Sequence, residues 1–205
     1  MMCFSIPRQG CRTMKSSSLE QRLLDLVRTS AELMAALSAA RSLALDSWCI
    51  GAGAVRTLVW DALHGHAFAT PLADVDLVYF APDAPPQRDA ELEARLRQLM
   101  PGLEWEVTNQ AHVHTWFMRE FGREVAPLLS LEEGVATWPE YATCIGVALA
   151  ADGTIRVIAP HGLEDLFGLR VRHNPARADA GTYRHRVVSK RFAQRWPLLA
   201  IESFQ

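Results

Sequence analysis

Apolar side chains become periodic from residue 18 onward. Leu19, Leu23, Leu26, Val27, Met34 and Leu37 recur at helical spacing and form one apolar stripe, which predicts a single helix from Ser18 to about Ala44. Ser18 can cap it, with Gln21 three residues on as its capping-box partner. Ser47 to Ile50 reads as a buried strand ended by Gly51-Ala52-Gly53, and Ala54 to Leu63 as a helix stopped near His64-Gly65. After a loop, Val75, Leu77, Val78, Tyr79 and Phe80 predict a second strand, closed by Pro82, Pro85 and Pro86. A polar helix follows from about Gln87 to Met100 and breaks at Pro101-Gly102. In the next run Leu103, Trp105 and Val107 alternate with Glu104 and Glu106, the period of a strand with one face in the core. Helices and connections fill Asn109 to about Trp138. Thr143 to Leu149 and Thr154 to Ala159, joined around Asp152-Gly153, read as a β-hairpin. His161 to Gln205 reads as short helices with a loop at Asn174 to Gly181. The order of elements predicts an α+β fold with one mixed β-sheet flanked by helices.

Composition narrows the class. The 205 residues are 49% apolar and 21% charged, with a formal charge of −2, as in ordinary globular proteins. Residues 18–205 are expected to form a single domain with an N-terminal helix and a basic C-terminal helical tail. Residues 1–17 mix Pro, Gly, Ser and single basic side chains and read as a disordered leader, with Met14 as an alternative start. No apolar run approaches the roughly 18 residues of a membrane span, so no membrane partner is expected. Near neutrality excludes bulk coating of DNA. Cys3, Cys11, Cys49 and Cys144 form no CxxC pair, which fits a reducing, cytoplasmic setting.

The chemistry concentrates in two places. Asp74 and Asp76 open a very apolar strand, and residues two apart on a strand share a face, so both carboxylates can grip divalent cations while Val75 and Leu77 enter the core. Gly51-Ala52-Gly53, between a strand and a helix, exposes backbone N–H groups that can cradle phosphates together with the helix N-terminus. Each feature has a plainer explanation, a solvated turn for the acids and tight packing for the glycines. Together they point to a nucleoside triphosphate site. A dinucleotide fingerprint is opposed by Arg56 at the sixth position of the would-be GxGxxG and by acids that precede the second strand rather than follow it.

The segment IGAGAVRTLVWDALHG followed by DVDLVYF resembles the active-site signature of the DNA polymerase β-like nucleotidyltransferase superfamily. It is also similar to the head motif of tRNA CCA-adding enzymes, although Ala52 separates the glycines and Thr57 stands where that motif has Asp. Over roughly Ser47 to Ile201, through WEVTNQAHVH, APHGLEDLF and RWPLLAI, the chain resembles a family of bacterial nucleotidyltransferases. The resemblance implies a polymerase β-like fold. It also implies transfer of a nucleoside monophosphate from an NTP, with Mg²⁺ or Mn²⁺, to a hydroxyl acceptor: a small molecule, a protein or an RNA end. It further implies a third carboxylate on a neighbouring strand, as metal ligand and base, so the catalytic and metal set becomes Asp74, Asp76 and Glu106, with Glu104 on the same face as the alternative.

Other side chains are placed by charge and position. Arg56, one turn into the helix after the glycines, can reach phosphate or pair with an acid of the site. Arg170 to Arg195 holds eight basic residues against Asp179 alone, and within it Arg186 and Lys190, four apart, are expected to contact the triphosphate. Trp60 is expected in the core and Asp61 on the surface. Asn109, Gln110, His112 and His114 follow the Glu106 strand and can line the same cleft; helix capping by Asn109 competes with that role, and zinc binding by the two histidines is not favoured. Two other classes stay open: a catalytically silent nucleotide- or metal-binding regulator, and a DxD glycosyltransferase using nucleotide sugars.

Overall fold

The computed structural model describes residues 18–72 and 74–203. The expected leader, with Cys3 and Cys11, lies outside the described residues.

The N-terminal stripe folds as two helices rather than one, α1 (Leu19–Thr29) and α2 (Ala31–Arg41). Ser30 is the reason: its backbone is extended, and its side chain accepts from the Leu33 N–H, so it caps α2 instead of continuing α1. Ser18 caps α1 through the Gln21 N–H as expected. The Gln21 side chain does not return the bond; it donates to Asp25.

Strand β1 (Trp48–Gly51) is buried throughout and leads into α3 (Gly53–His64), which ends at the left-handed Gly65. Then come β2 (Asp74–Tyr79), α4 (Arg88–Leu99) and β3 (Glu104–Asn109). A 3₁₀ turn, Gln110–His112, passes into α5 (Val113–Phe121), and α6 (Leu131–Ala136) precedes the hairpin β4 (Gly146–Leu149) and β5 (Ile155–Ile158). The tail holds α7 (Glu164–Phe167), β6 (Arg170–Val171), α8 (Ala180–Ser189), α9 (Phe192–Arg195) and β7 (Ala200–Ile201). The parallel pair of two-residue strands β6 and β7 was not expected; runs that short carry no periodicity to read.

The main sheet runs in the order β3-β2-β1-β4-β5, with β2 and β3 parallel and the other neighbours antiparallel. This is the mixed sheet expected. Because β1 lies antiparallel to β2, the glycine turn does not belong to a parallel βαβ unit of the dinucleotide-binding kind. Val75, Leu77 and Tyr79 on β2 pair in register with Trp105, Val107 and Asn109 on β3, and these six are buried. The opposite face of the same two strands carries the rows Asp74 beside Glu104, Asp76 beside Glu106, and Val78 beside Thr108. No helix among the described residues is long and apolar enough to cross a membrane.

Candidate active site

The glycine turn is shaped by what lies over it. A Cβ on Gly51 would come within 2.2 Å of the Trp138 ring, so only glycine fits there without displacing it. The residue that takes the left-handed backbone is Ala52, with φ 44° and ψ −105°, while its N–H donates to the Ile145 carbonyl. Gly53 then opens α3.

Asp74, Asp76 and Glu106 line one polar cavity of about 130 Å³, together with Gly53, Arg56, Lys190 and Arg195. The parallel register of β2 and β3 puts Asp76 and Glu106 side by side. Burial, reinforced by the neighbouring Glu106 carboxylate, pushes the Asp76 carboxyl up to about 6, against the opposing pull of Lys190, Arg56 and Arg186. Glu104 sits one row away, beside the exposed Asp74.

The cations divide into two kinds. Arg56 is 4% exposed, and its guanidinium lies 5.4 Å from the Trp60 ring centroid and 4.8 Å from that of Phe192. The guanidinium donates no hydrogen bond among the described residues, and its Nε is buried without a partner. Burial lowers its pKa to about 10, with Glu140 and Asp76 working the other way. Lys190, the C-cap of α8, holds its Nζ 3.9 Å from Asp74 Oδ2, a long and solvent-exposed approach.

Arg186, expected at the triphosphate, is committed elsewhere. Its Nε donates to Glu140 Oε1 at 2.8 Å and its Nη2 to Oε2 at 3.3 Å, and Glu140 is fully buried. The basic tail is spent in the same way at Arg170 and Arg172, which both pair with the buried Asp165.

Sequence reasoning missed Arg195, whose only signal was its place in the basic tail, and Glu140, which carried none. Asp61 is buried rather than on the surface. Its Oδ1 accepts from the Trp196 indole at 2.7 Å, its Oδ2 from the Thr70 N–H at 2.6 Å, and His66 Nδ1 lies 3.0 Å away. Trp60 is in the core as expected, donating to the Leu166 carbonyl. Asn109 takes the capping role, accepting from Ala111 and Ala81 N–H groups, while Gln110 lines a second cavity described below. His112 Nε2 lies 3.0 Å from the Pro82 carbonyl oxygen.

Among the described residues no three His, Cys, Asp or Glu side chains converge closely enough to cage a metal ion. The donor set nevertheless suits a hard cation: carboxylates only, on neighbouring strands, around one cavity. Mg²⁺ is ordinarily held by one or two carboxylates plus substrate phosphates rather than by a complete protein cage.

The model of a family described as nucleotidyltransferase matches residues 38–201. A solved NMR structure that reveals a CCA-adding enzyme head domain superposes with a TM-score of 0.75 and 27% identity, covering 90% of this chain and 96% of that one. A CCA-adding enzyme in its apo form and one in complex with CTP share the fold at a TM-score of 0.56 and 14% identity. The chain spans 42% and 43% of their lengths. No curated protein matches it.

Proposed function

The chain belongs to the nucleotidyltransferase family, and from that premise we propose that it is a metal-dependent enzyme moving a nucleoside monophosphate from an NTP to an acceptor hydroxyl. The observation that supports this best is the shared cavity, in which three carboxylates face Arg56, Lys190, Arg195 and the start of α3.

In this reading the triphosphate lies against the cations and the glycine turn. Arg56 supplies a buried positive charge that forms no direct ion pair among the described residues, while Lys190 and Arg195 neutralise the leaving pyrophosphate. Asp74, Asp76 and Glu106 would hold Mg²⁺ or Mn²⁺, which supplies charge neutralisation at the α-phosphate and lowers the pKa of the attacking hydroxyl. The acceptor oxygen bonds to the α-phosphorus as the bond from that phosphorus to the bridging oxygen breaks. The bridging oxygen departs with pyrophosphate, and Glu106 takes the hydroxyl proton and passes it to water. The protein contributes position and charge.

Calorimetric titration with each NTP tests the reading, with and without Mg²⁺, for the wild type and for D74N/D76N. CTP belongs in the panel because a solved enzyme of this fold holds it. Metal-dependent binding that disappears in the double variant is expected. Binding to no NTP, or equal binding by the double variant, overturns it.

A further inference from the structure

Asp76 and Glu106 also line a second cavity, of about 260 Å³, which continues along the same sheet face over Val78 and Thr108. Its character is different. The walls are rings, Trp138 from above the glycine turn and Trp116, Phe117 and Phe121 from α5, with α8 alongside through Thr182 and Arg186. Trp116, Phe117 and Phe121 pack on one another, with Phe117 and Phe121 centroids 4.5 Å apart.

Two polar groups in this cavity have capacity to spare. Arg177 donates from Nη2 to the Ala126 carbonyl, its Nη1 is buried without a partner, and it forms no ion pair among the described residues. Its guanidinium lies 5.7 Å from the Phe117 centroid. Arg123 approaches the same ring at 5.6 Å, so a second positive charge stands close by. Gln110, buried beside Gly134, makes no side-chain hydrogen bond among the described residues. Arg186, by contrast, is neutralised by Glu140.

In-line displacement assigns the two cavities. The leaving pyrophosphate and the attacking oxygen must stand on opposite sides of the α-phosphorus. If the triphosphate occupies the polar cavity, the attacking hydroxyl arrives over Asp76 and Glu106 from the other side, which is the aromatic cavity. We propose, on the strength of the nucleotidyl-transfer reading, that this cavity receives the acceptor. The acceptor is a single small molecule with a flat aromatic body between Trp116 and Trp138, an anionic group at Arg177 and its reacting hydroxyl at Glu106. The volume suits one ring-sized body, lying just under the roughly 300–1,000 Å³ of ordinary small-molecule sites. The chemistry of transfer is as above: the acceptor's O–H oxygen bonds to phosphorus, pyrophosphate leaves, and the proton goes to Glu106.

The probe is 4-hydroxyphenylacetate, with cationic tyramine as its charge-reversed control. Binding is followed by tryptophan fluorescence in the presence of Mg²⁺, with and without α,β-methylene analogues of ATP and CTP. We expect 4-hydroxyphenylacetate to bind at least tenfold more tightly than tyramine, to bind together with the nucleotide analogue, and to lose that preference in R177A but keep it in R177K. Calorimetric NTP titration of each variant is the separate readout of the donor site and of folding. The proposal is overturned if neither probe binds, if tyramine binds as well, or if R177A keeps the preference. Displacement of the probe by the analogue would give the cavity to the donor's base. Transfer of radiolabelled NMP to an RNA 3′ end would give it to a polymer.

Discussion

Arg186 grips the carboxylate of Glu140 with two hydrogen bonds, Nε to Oε1 at 2.8 Å and Nη2 to Oε2 at 3.3 Å, across 46 residues of chain. The two ends differ in what they can fall back on. Glu140 is fully buried and, among the described residues, keeps only Thr143 as a further side-chain hydrogen-bond partner, whereas the Arg186 side chain is 28% exposed. Removing one partner of a buried pair leaves the other charge uncompensated, at about 3–5 kcal/mol when no water reaches it. R186A should therefore cost about 3 kcal/mol or more, and E140A clearly less, because the freed guanidinium can turn to solvent. Urea unfolding of both variants checks the order. If E140A is the more damaging, the pair is not held together by the burial of its acid.

Ala52 sits at φ 44° between two glycines that do not use the left-handed region. A non-glycine residue in such a backbone costs on the order of 1–3 kcal/mol, and glycine gives back roughly 0.5–1 kcal/mol in unfolded-chain entropy. A52G should raise stability by about 1 kcal/mol, and A52V, whose branched Cβ is worse there, should lower it. Thermal melts at equal pH decide it. A lower melting temperature for A52G would mean that the turn is not strained.

The Asp76 carboxyl stands at about 6, above its ordinary value of 3.8, because it is buried beside Glu106. The sign follows from the shift. A group whose pKa is raised on folding favours the folded state below its unfolded pKa, and that contribution is lost as the pH rises through the folded one. Near pH 7 and without metal, wild type carries the unfavourable charge and D76N does not. D76N should melt higher than wild type at pH 7 to 8 in EDTA, with the difference fading as the pH falls from 6 to 4. Divalent cation should raise the wild-type melting temperature and leave that of D76N nearly unchanged. Equal melting curves at all pH values would remove the repulsion between these two acids from the account.

What could be read from the chain was what the backbone period carries. Asp74, Asp76 and Glu106 face one side because strands alternate, and the buried partners Val75, Leu77, Trp105 and Val107 announce that alternation. The glycine turn and the Asn109 cap are likewise local. The pairing of Arg186 was not legible because it depends on Glu140, an acid with no pattern around it. The break at Ser30 was lost inside an uninterrupted apolar stripe, since Ser is tolerated within helices as well as at their caps. The aromatic cavity draws on β2, β3, α5, α8 and the turn at Trp138, and no spacing rule joins five separate segments.

Asp61 ties both flanks of the site to α3. One oxygen accepts from Thr70, in the loop that leads to Asp74, and the other from Trp196, just beyond the helix that ends at Arg195. Burial alone would raise its carboxyl, but the bonds from Thr70 and Trp196 and the nearby His66 hold it below the usual value. D61A should lose about 2–4 kcal/mol, from two buried hydrogen bonds and the donors they leave unpaired. D61N should lose about half as much, because an amide can accept from one donor but must turn its NH₂ toward the other. W196F removes one donor and also part of a fully buried ring packed on Trp60 and Phe192, and should cost about 2–4 kcal/mol, leaving the Thr70 bond in place. If Asp61 only stabilises the fold, the three variants will weaken NTP binding in proportion to their loss of stability. If it also sets the separation of Asp74 and Arg195, D61N will weaken NTP binding more than W196F at matched stability. Calorimetric titration beside urea unfolding separates the two, and proportional losses would confine Asp61 to stability alone.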